Sequence, residues 1–251
     1  MNLFFALSIA SVVLFLVVVP VLRRKQAEKN ADAQWKLGEQ ASALGLRTQG
    51  ANVRTGEMQF AGESEGVTWS ANIEAPVHQS NSRNKSQSTR LTYPGLTSAP
   101  GTFILAVAFP PGVKVPEMPS MNDGGFLASI AERAGEALLD VYVEGYFGAE
   151  HRALVNVAGA ARSPAPEGFW LLSTDPALAA RLLDTEGQAL LSALRLAEVK
   201  EGTTLAKAGF GLLISPSGFK VGCQVALTDP ARLKFIADKA ARLVAHAAGR
   251  A

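Results

Sequence analysis

Asp140, Glu144, Glu150 and His151 mark the one place in this sequence where carboxylates and an imidazole fall close together. Such a pair can pass a proton near neutral pH, and the same residue types ligate divalent metals. If Asp140 and Glu144 share the face of a strand, both can meet His151 in a cleft, which would give acid/base or metal chemistry. Solvated surface charge accounts for the same residues more simply. The other two histidines, His78 and His246, stand in a polar loop and in the last helix, so no metal-ligand spacing emerges.

Other chemistry has little to work with. There is no GxxxxGK[ST] or GxGxxG stretch for nucleotide phosphates, and no HExxH or CxxC pattern for a metal. No cofactor and no metal is therefore expected, and the balance leans away from an enzyme. The single cysteine, Cys223, alternates with Phe219, Val221, Val225 and Leu227 along one expected strand from Phe219 to Leu227. That places it on a buried face, as an inert core thiol. The motif Thr-Asp-Pro-Ala occurs twice, at 174–177 and 228–231, each time after a strand. Aspartate caps the free N–H groups of a helix start, and proline fits the first helical turn because it has no N–H to leave unpaired. Capping explains the repeat.

The elements that would position any site begin with Leu3–Leu22, twenty residues without a charged side chain, closed by Arg23, Arg24 and Lys25. As a helix rising about 1.5 Å per residue, the run is long enough to cross a hydrocarbon core of roughly 30 Å. A cleaved signal peptide would need a basic start and a small-residue cleavage site, and here the basic residues follow the run instead. Those membrane-flanking residues, with Lys29 and Lys36, put the rest of the chain on the cytoplasmic side of the inner (plasma) membrane, as a single-pass protein. Three segments result: a transmembrane anchor at 1–23, a juxtamembrane helix at 24–45 with Ala27, Ala31 and Trp35 at four-residue steps, and a cytoplasmic domain at 46–251.

Within that domain the expected fold class is α+β: one mostly antiparallel sheet packed with about three to four helices. Alternation from Glu57 to Glu74 predicts a hairpin turning at Gly62–Gly66, and Gly101–Phe109 reads as a central strand, apolar on both faces. Residues 76–88 and 110–125 read as loops, and Phe126–Leu139 as a helix. Val141 and Val143 suggest a further strand. A helix from Pro176 is expected to break near Gly187. The last helix carries Leu233, Ile236, Ala240, Leu243 and Ala247 on one face, with Lys234, Asp238 and Arg242 on the other.

The bare span, its basic stop, the α+β body and the run FWLLSTDPALAARLL from Phe169 to Leu183 resemble uncharacterised single-span, membrane-anchored proteins of bacteria. That resemblance implies no activity and carries no site residue. The net charge of +2 is close to neutral once Arg23, Arg24 and Lys25 are set aside, which argues against nucleic acid as a partner. The expected partners are the lipid bilayer, through residues 3–22, and a protein docked on a non-catalytic interaction or scaffold domain. Ala6 and Ala10, spaced for close helix approach, would allow a homo-oligomer. Two alternatives compete: an enzyme using Asp140, Glu144 and His151, or a lipid-surface module acting through Arg83, Lys85 and Arg90.

Overall fold

Alternating and doubly apolar runs assemble into one antiparallel sheet of nine strands in the computed structural model, which describes residues 35–52, 57–74, 87–108, 143–148, 151, 161–162 and 166–249, with positions 21, 25 and 32. In chain order the strands are β1 (Arg47–Asn52), β2 (Glu57–Ser64), β3 (Val67–Glu74), β4 (Ser88–Tyr93), β5 (Ile104–Ala108), β6 (Ala161–Arg162), β7 (Phe169–Ser173), β8 (Glu198–Lys200), β9 (Thr203–Thr204), β10 (Phe210–Ser215) and β11 (Gly218–Cys223). Their spatial order is β1-β2-β3-β4-β11-β10-β5-β7-β6, while β8 and β9 make a small separate hairpin. The helices are α1 (Pro176–Leu182), α2 (Thr185–Arg195), α3 (Leu205–Ala208) and α4 (Pro230–Ala247).

Residues directly paired across antiparallel strands share a face, so the registers state which side chains stand together. One such row runs Phe60, Ala71, Leu91, Val221, Leu212, Ala106 and Leu171. It belongs to a core that α1, α2 and α4 cover with Leu178, Leu182, Leu191, Leu194, Leu233 and Ile236. On the opposite face a smaller apolar cluster joins Phe103, Leu105, Val107, Trp170, Leu172 and Leu213 to a helical turn at 143–147. β5, β7 and β10 are thus buried on both sides, which for β5 is what the unbroken apolar run 101–109 predicts.

Local chemistry sets the boundaries. The β2–β3 hairpin turns on Glu65 and Gly66, both at positive φ (53° and 69°), the pairing that a two-residue type I′ turn requires. The helical stretch 35–43 ends where Gly45 takes φ 74°, with Leu46 N–H on the Ala41 carbonyl (2.9 Å) and Gly45 N–H on the Ser42 carbonyl (2.9 Å), a Schellman close. Asp175 accepts from the Leu178 N–H at 2.9 Å and Asp229 from the Ala231 N–H at 3.0 Å, so both Thr-Asp-Pro-Ala repeats are helix caps.

Several expectations are corrected. The first is the transmembrane helix that opens the expected fold. Leu3–Leu22 lies outside the described residues except for Val21, and no helix among the described residues is long and apolar enough to cross a membrane. The longest, α4, carries the polar face of Lys234, Asp238 and Arg242. The described fold is therefore α+β, a large antiparallel sheet with helices, and contains no spanning element. The join between 24 and 34 lies outside the described residues apart from positions 25 and 32, and Trp35 is 66% exposed instead of packed on the domain.

The break expected near Gly187 falls earlier, at Leu183–Asp184. Asp184 caps α2 through the Gly187 N–H at 2.8 Å, and Gly187 lies inside the helix at a place where a Cβ would stand 2.2 Å from the Leu182 carbonyl oxygen. β11 stops at Cys223 rather than reaching Leu227. The loops at 76–86 and 110–125 and the helix at 126–139 lie outside the described residues.

Removing a cap isolates its worth. Asp175→Ala or Asp229→Ala should each lower the unfolding free energy by about 1 kcal/mol, with Asn at either position keeping most of it; urea unfolding checks this. Asp184 adds a pH dependence. The Gly187 N–H, and after it His246 at 2.8 Å, hold its carboxyl below the ordinary value of 3.8. Its charge therefore stabilises the fold fully above that value, and the contribution is lost as the pH falls through the lower folded value. The melting temperature of the parent minus that of Asp184→Asn should be positive near neutrality and shrink toward zero in acid.

Candidate functional site

The second face of the sheet is divided at β11. Across β2, β3 and β4 one row reads Gln59, Asn72 and Arg90, and the next, reaching β11, reads Ala61, Ser70, Thr92 and Lys220. Continued over β10, β5 and β7, the same rows become Gly211, Val107 and Trp170, and Leu213, Leu105 and Leu172. The apolar half is covered by Val143, Tyr146 and Phe147 of the helical turn. That turn rests directly on β11, since a Cβ on Gly222 would lie 2.2 Å from the Tyr146 carbonyl oxygen. The polar half stays open and holds a cleft of about 300 Å³ between Gln59, Asn72, Arg90, Thr92, Lys220 and Phe147.

Among the described residues, two cations, Arg90 and Lys220, line this cleft. Arg90 donates through Nη1 to Glu74 Oε1 at 3.3 Å, and Ser88 Oγ donates to Glu74 Oε2 at the same distance. With the side chains 26% and 40% exposed, solvent screens the ion pair and little stability follows from it. The Arg90 Nε–H is buried and has no acceptor. Lys220 meets Nε2 of His151 through its ammonium. An ammonium only donates, so in this contact the ring nitrogen is the acceptor.

The residues singled out in the sequence are only partly brought here. Asp140 lies outside the described residues, as do Arg23, Arg24, Arg83 and Lys85. Glu144 sits in the helical turn, where the Gly148 N–H closes on its carbonyl at 3.0 Å, so the strand face that would align it with Asp140 does not form. His151 is buried, against Lys220. Among the described residues no group of three or more His, Cys, Asp or Glu side chains is placed to hold a metal. Arg90 belongs to β4 and to the open face, not to a loop tip.

Gln59, Asn72, Thr92 and Lys220 escaped the sequence reading. Their signal was present in the polar half of each alternation, Thr68, Ser70 and Asn72 above all. The letters of Gly62-Glu63-Ser64-Glu65-Gly66 also fit the GxSxG spacing of a hydrolase nucleophile, which requires a strand–turn–helix elbow. Here they run through a hairpin, and Ser64 Oγ accepts from Trp69 Nε1 at 3.0 Å while donating to Asp238. Ser64 is a structural hydroxyl.

A second groove, between the end of α2 and the start of α4, exposes Leu196 and Phe235, with the Lys239 ammonium 4.9 Å from the Phe235 ring centroid. It offers fewer converging polar groups than the cleft. Cys223 is buried and its thiol is pushed up to about 12 by that burial. In native protein it should stay unmodified by a disulfide reagent at pH 8 and react fully only after denaturation, as a thiol titration will show.

No protein-family model matches this chain, and no curated protein matches it. Among solved structures, it is similar to the crystal structure of the mycobacterial trehalose monomycolate transport factor A, TtfA, with a TM-score of 0.37 and 10% identity, over 85% of this chain and 91% of that one. A likeness at that level carries no argument about what this chain does.

Proposed function

We propose that this chain is a non-catalytic binding domain that docks a partner protein on the open polar face of β2, β3, β4 and β11. The observation that supports it is the division of one sheet face at Gly222: apolar and covered over β10, β5 and β7, polar and uncovered over the neighbouring strands, with a cleft where the halves meet. Side-chain amides, hydroxyls and two cations lie in register there, which suits recognition by hydrogen bonds.

The place of action belongs to the same proposal. The apolar run Leu3–Leu22 and the basic residues Arg23, Arg24 and Lys25 support association with the inner membrane and a cytoplasmic domain. Full-length protein should stay with the membrane fraction through a salt wash, and its release would remove this half of the reading. For the docking half, a photo-crosslinking residue at Gln59 or Asn72 should trap a partner in cells, whereas one at the exposed Lys200 of β8 should not. Equal trapping at all three positions, or none at 59 and 72, would sink it.

A further inference from the structure

We propose that the cleft beside β11 is a site for a carboxylate, carried by a small molecule or a chain end with a short apolar group attached. The inference rests on reading this cleft as a binding site, but not on the partner's being a protein. Lys220 pairs with Thr92 and Arg90 with Gly222, so the two cations are diagonal neighbours on adjacent strands, with backbones roughly 7–8 Å apart, and both line the cleft. One carboxylate is narrow enough to lie between them.

The guanidinium already shows its preference for that group. Arg90 holds the Glu74 carboxylate through Nη1, while its Nε–H, buried and without an acceptor, leaves part of the fork unused. Such a donor inside a protein is costly unless something accepts from it, and a small rotation of the guanidinium toward the cleft would present it to a ligand. Around it the Asn72 and Gln59 amides and the Thr92 hydroxyl supply neutral donors. Among the described residues, no acidic side chain lines the cleft.

Two further features narrow the class. Glu74 keeps one negative charge against Arg90, so a phosphate dianion would sit beside a carboxylate, whereas a monoanion meets less repulsion. Phe147 forms the side nearest the covered half of the sheet, where an apolar group attached to the acid can pack. The volume of about 300 Å³ is at the small end for ligand sites, which suits an acid of a few heavy atoms or a terminal residue rather than a large cofactor.

The test is a titration of the full-length protein in non-ionic detergent with butyrate, inorganic phosphate and chloride at matched ionic strength. Nitrogen–proton NMR signals of the Arg90 Nε–H and the Asn72 amide are the readout. Butyrate should shift both signals saturably, phosphate should bind more weakly, and chloride should give only a linear drift. Arg90→Gln should weaken butyrate binding about tenfold or more. Asn72→Asp, at an exposed position that folding tolerates, should do the same by placing a negative charge in the cleft. Butyrate behaving like chloride, phosphate binding as tightly as butyrate, or binding untouched by both variants would each overturn the proposal. Butyrate binding without a crosslink from Gln59 would keep the site and discard the docked protein. A crosslink without butyrate binding would do the reverse.

Discussion

Helix α4 lying across β2, β3 and β4 is the contact on which the rest of the fold depends. Its Leu233, Ile236, Ala240, Leu243 and Ala247 are buried in the larger core, against the apolar faces of those strands. The polar atoms caught at this junction are paired. Tyr93 donates its hydroxyl to the Ala237 carbonyl at 2.9 Å, and Trp69, Ser64, Asp238 and Lys234 form one chain of hydrogen bonds from sheet to helix. Burial, and after it the Asp238 carboxylate, keep the Tyr93 phenol well above its ordinary value of 10.0, so it remains a donor at any physiological pH. Gly62 makes room for the indole, since a Cβ there would stand 2.6 Å from Trp69 Cζ2.

Because these strands give their apolar side chains to α4, what they present on the other face is mostly polar. A half-polar antiparallel sheet can face water without further cover, whereas β10, β5 and β7, apolar on both sides, cannot. The open cleft is thus a by-product of where the apolar residues were placed. Its edge is set by two glycines of β11 and the chain before β10: Gly222 admits the Tyr146 backbone, and at Gly209, with φ 80°, a Cβ would lie 2.6 Å from the Tyr146 hydroxyl oxygen. A side chain at Gly222 would push the helical turn off the sheet and erase the boundary that shapes the cleft.

The sequence made legible whatever depends on neighbours in the chain. The hairpin 57–74, the doubly apolar strand near 104–108, the twin aspartate caps, the amphipathic α4 and the buried Cys223 all follow from spacing within one or two elements. Other features depend on partners far along the chain. Arg90 faces Gly222 across two strands joined only by tertiary folding, and alternation tells which residues share a face without telling which face is covered. The five residues 143–147 are too few to show helical periodicity, and Val141 and Val143 imitate a strand, so Glu144 was placed on the wrong kind of element. The break at Asp184 was missed because glycine is the stronger general signal for a stop, yet Gly187 serves close packing while the shorter Asp side chain caps the new helix.

The same long-range dependence ties any binding at the cleft to the integrity of the sheet. Arg90 and Lys220 come together only when β4 and β11 are paired, and β11 in turn is the strand that joins the β1–β4 half to the β10–β5–β7 half. An anion held between the two cations gains its affinity only in that paired state, so by mass action it must draw the equilibrium toward the closed sheet. At this seam Val221 and Cys223 belong to the larger core on one side of β11, and the Tyr146 turn rests on the other. A ligand at this position would therefore clamp the centre of the fold instead of decorating its rim.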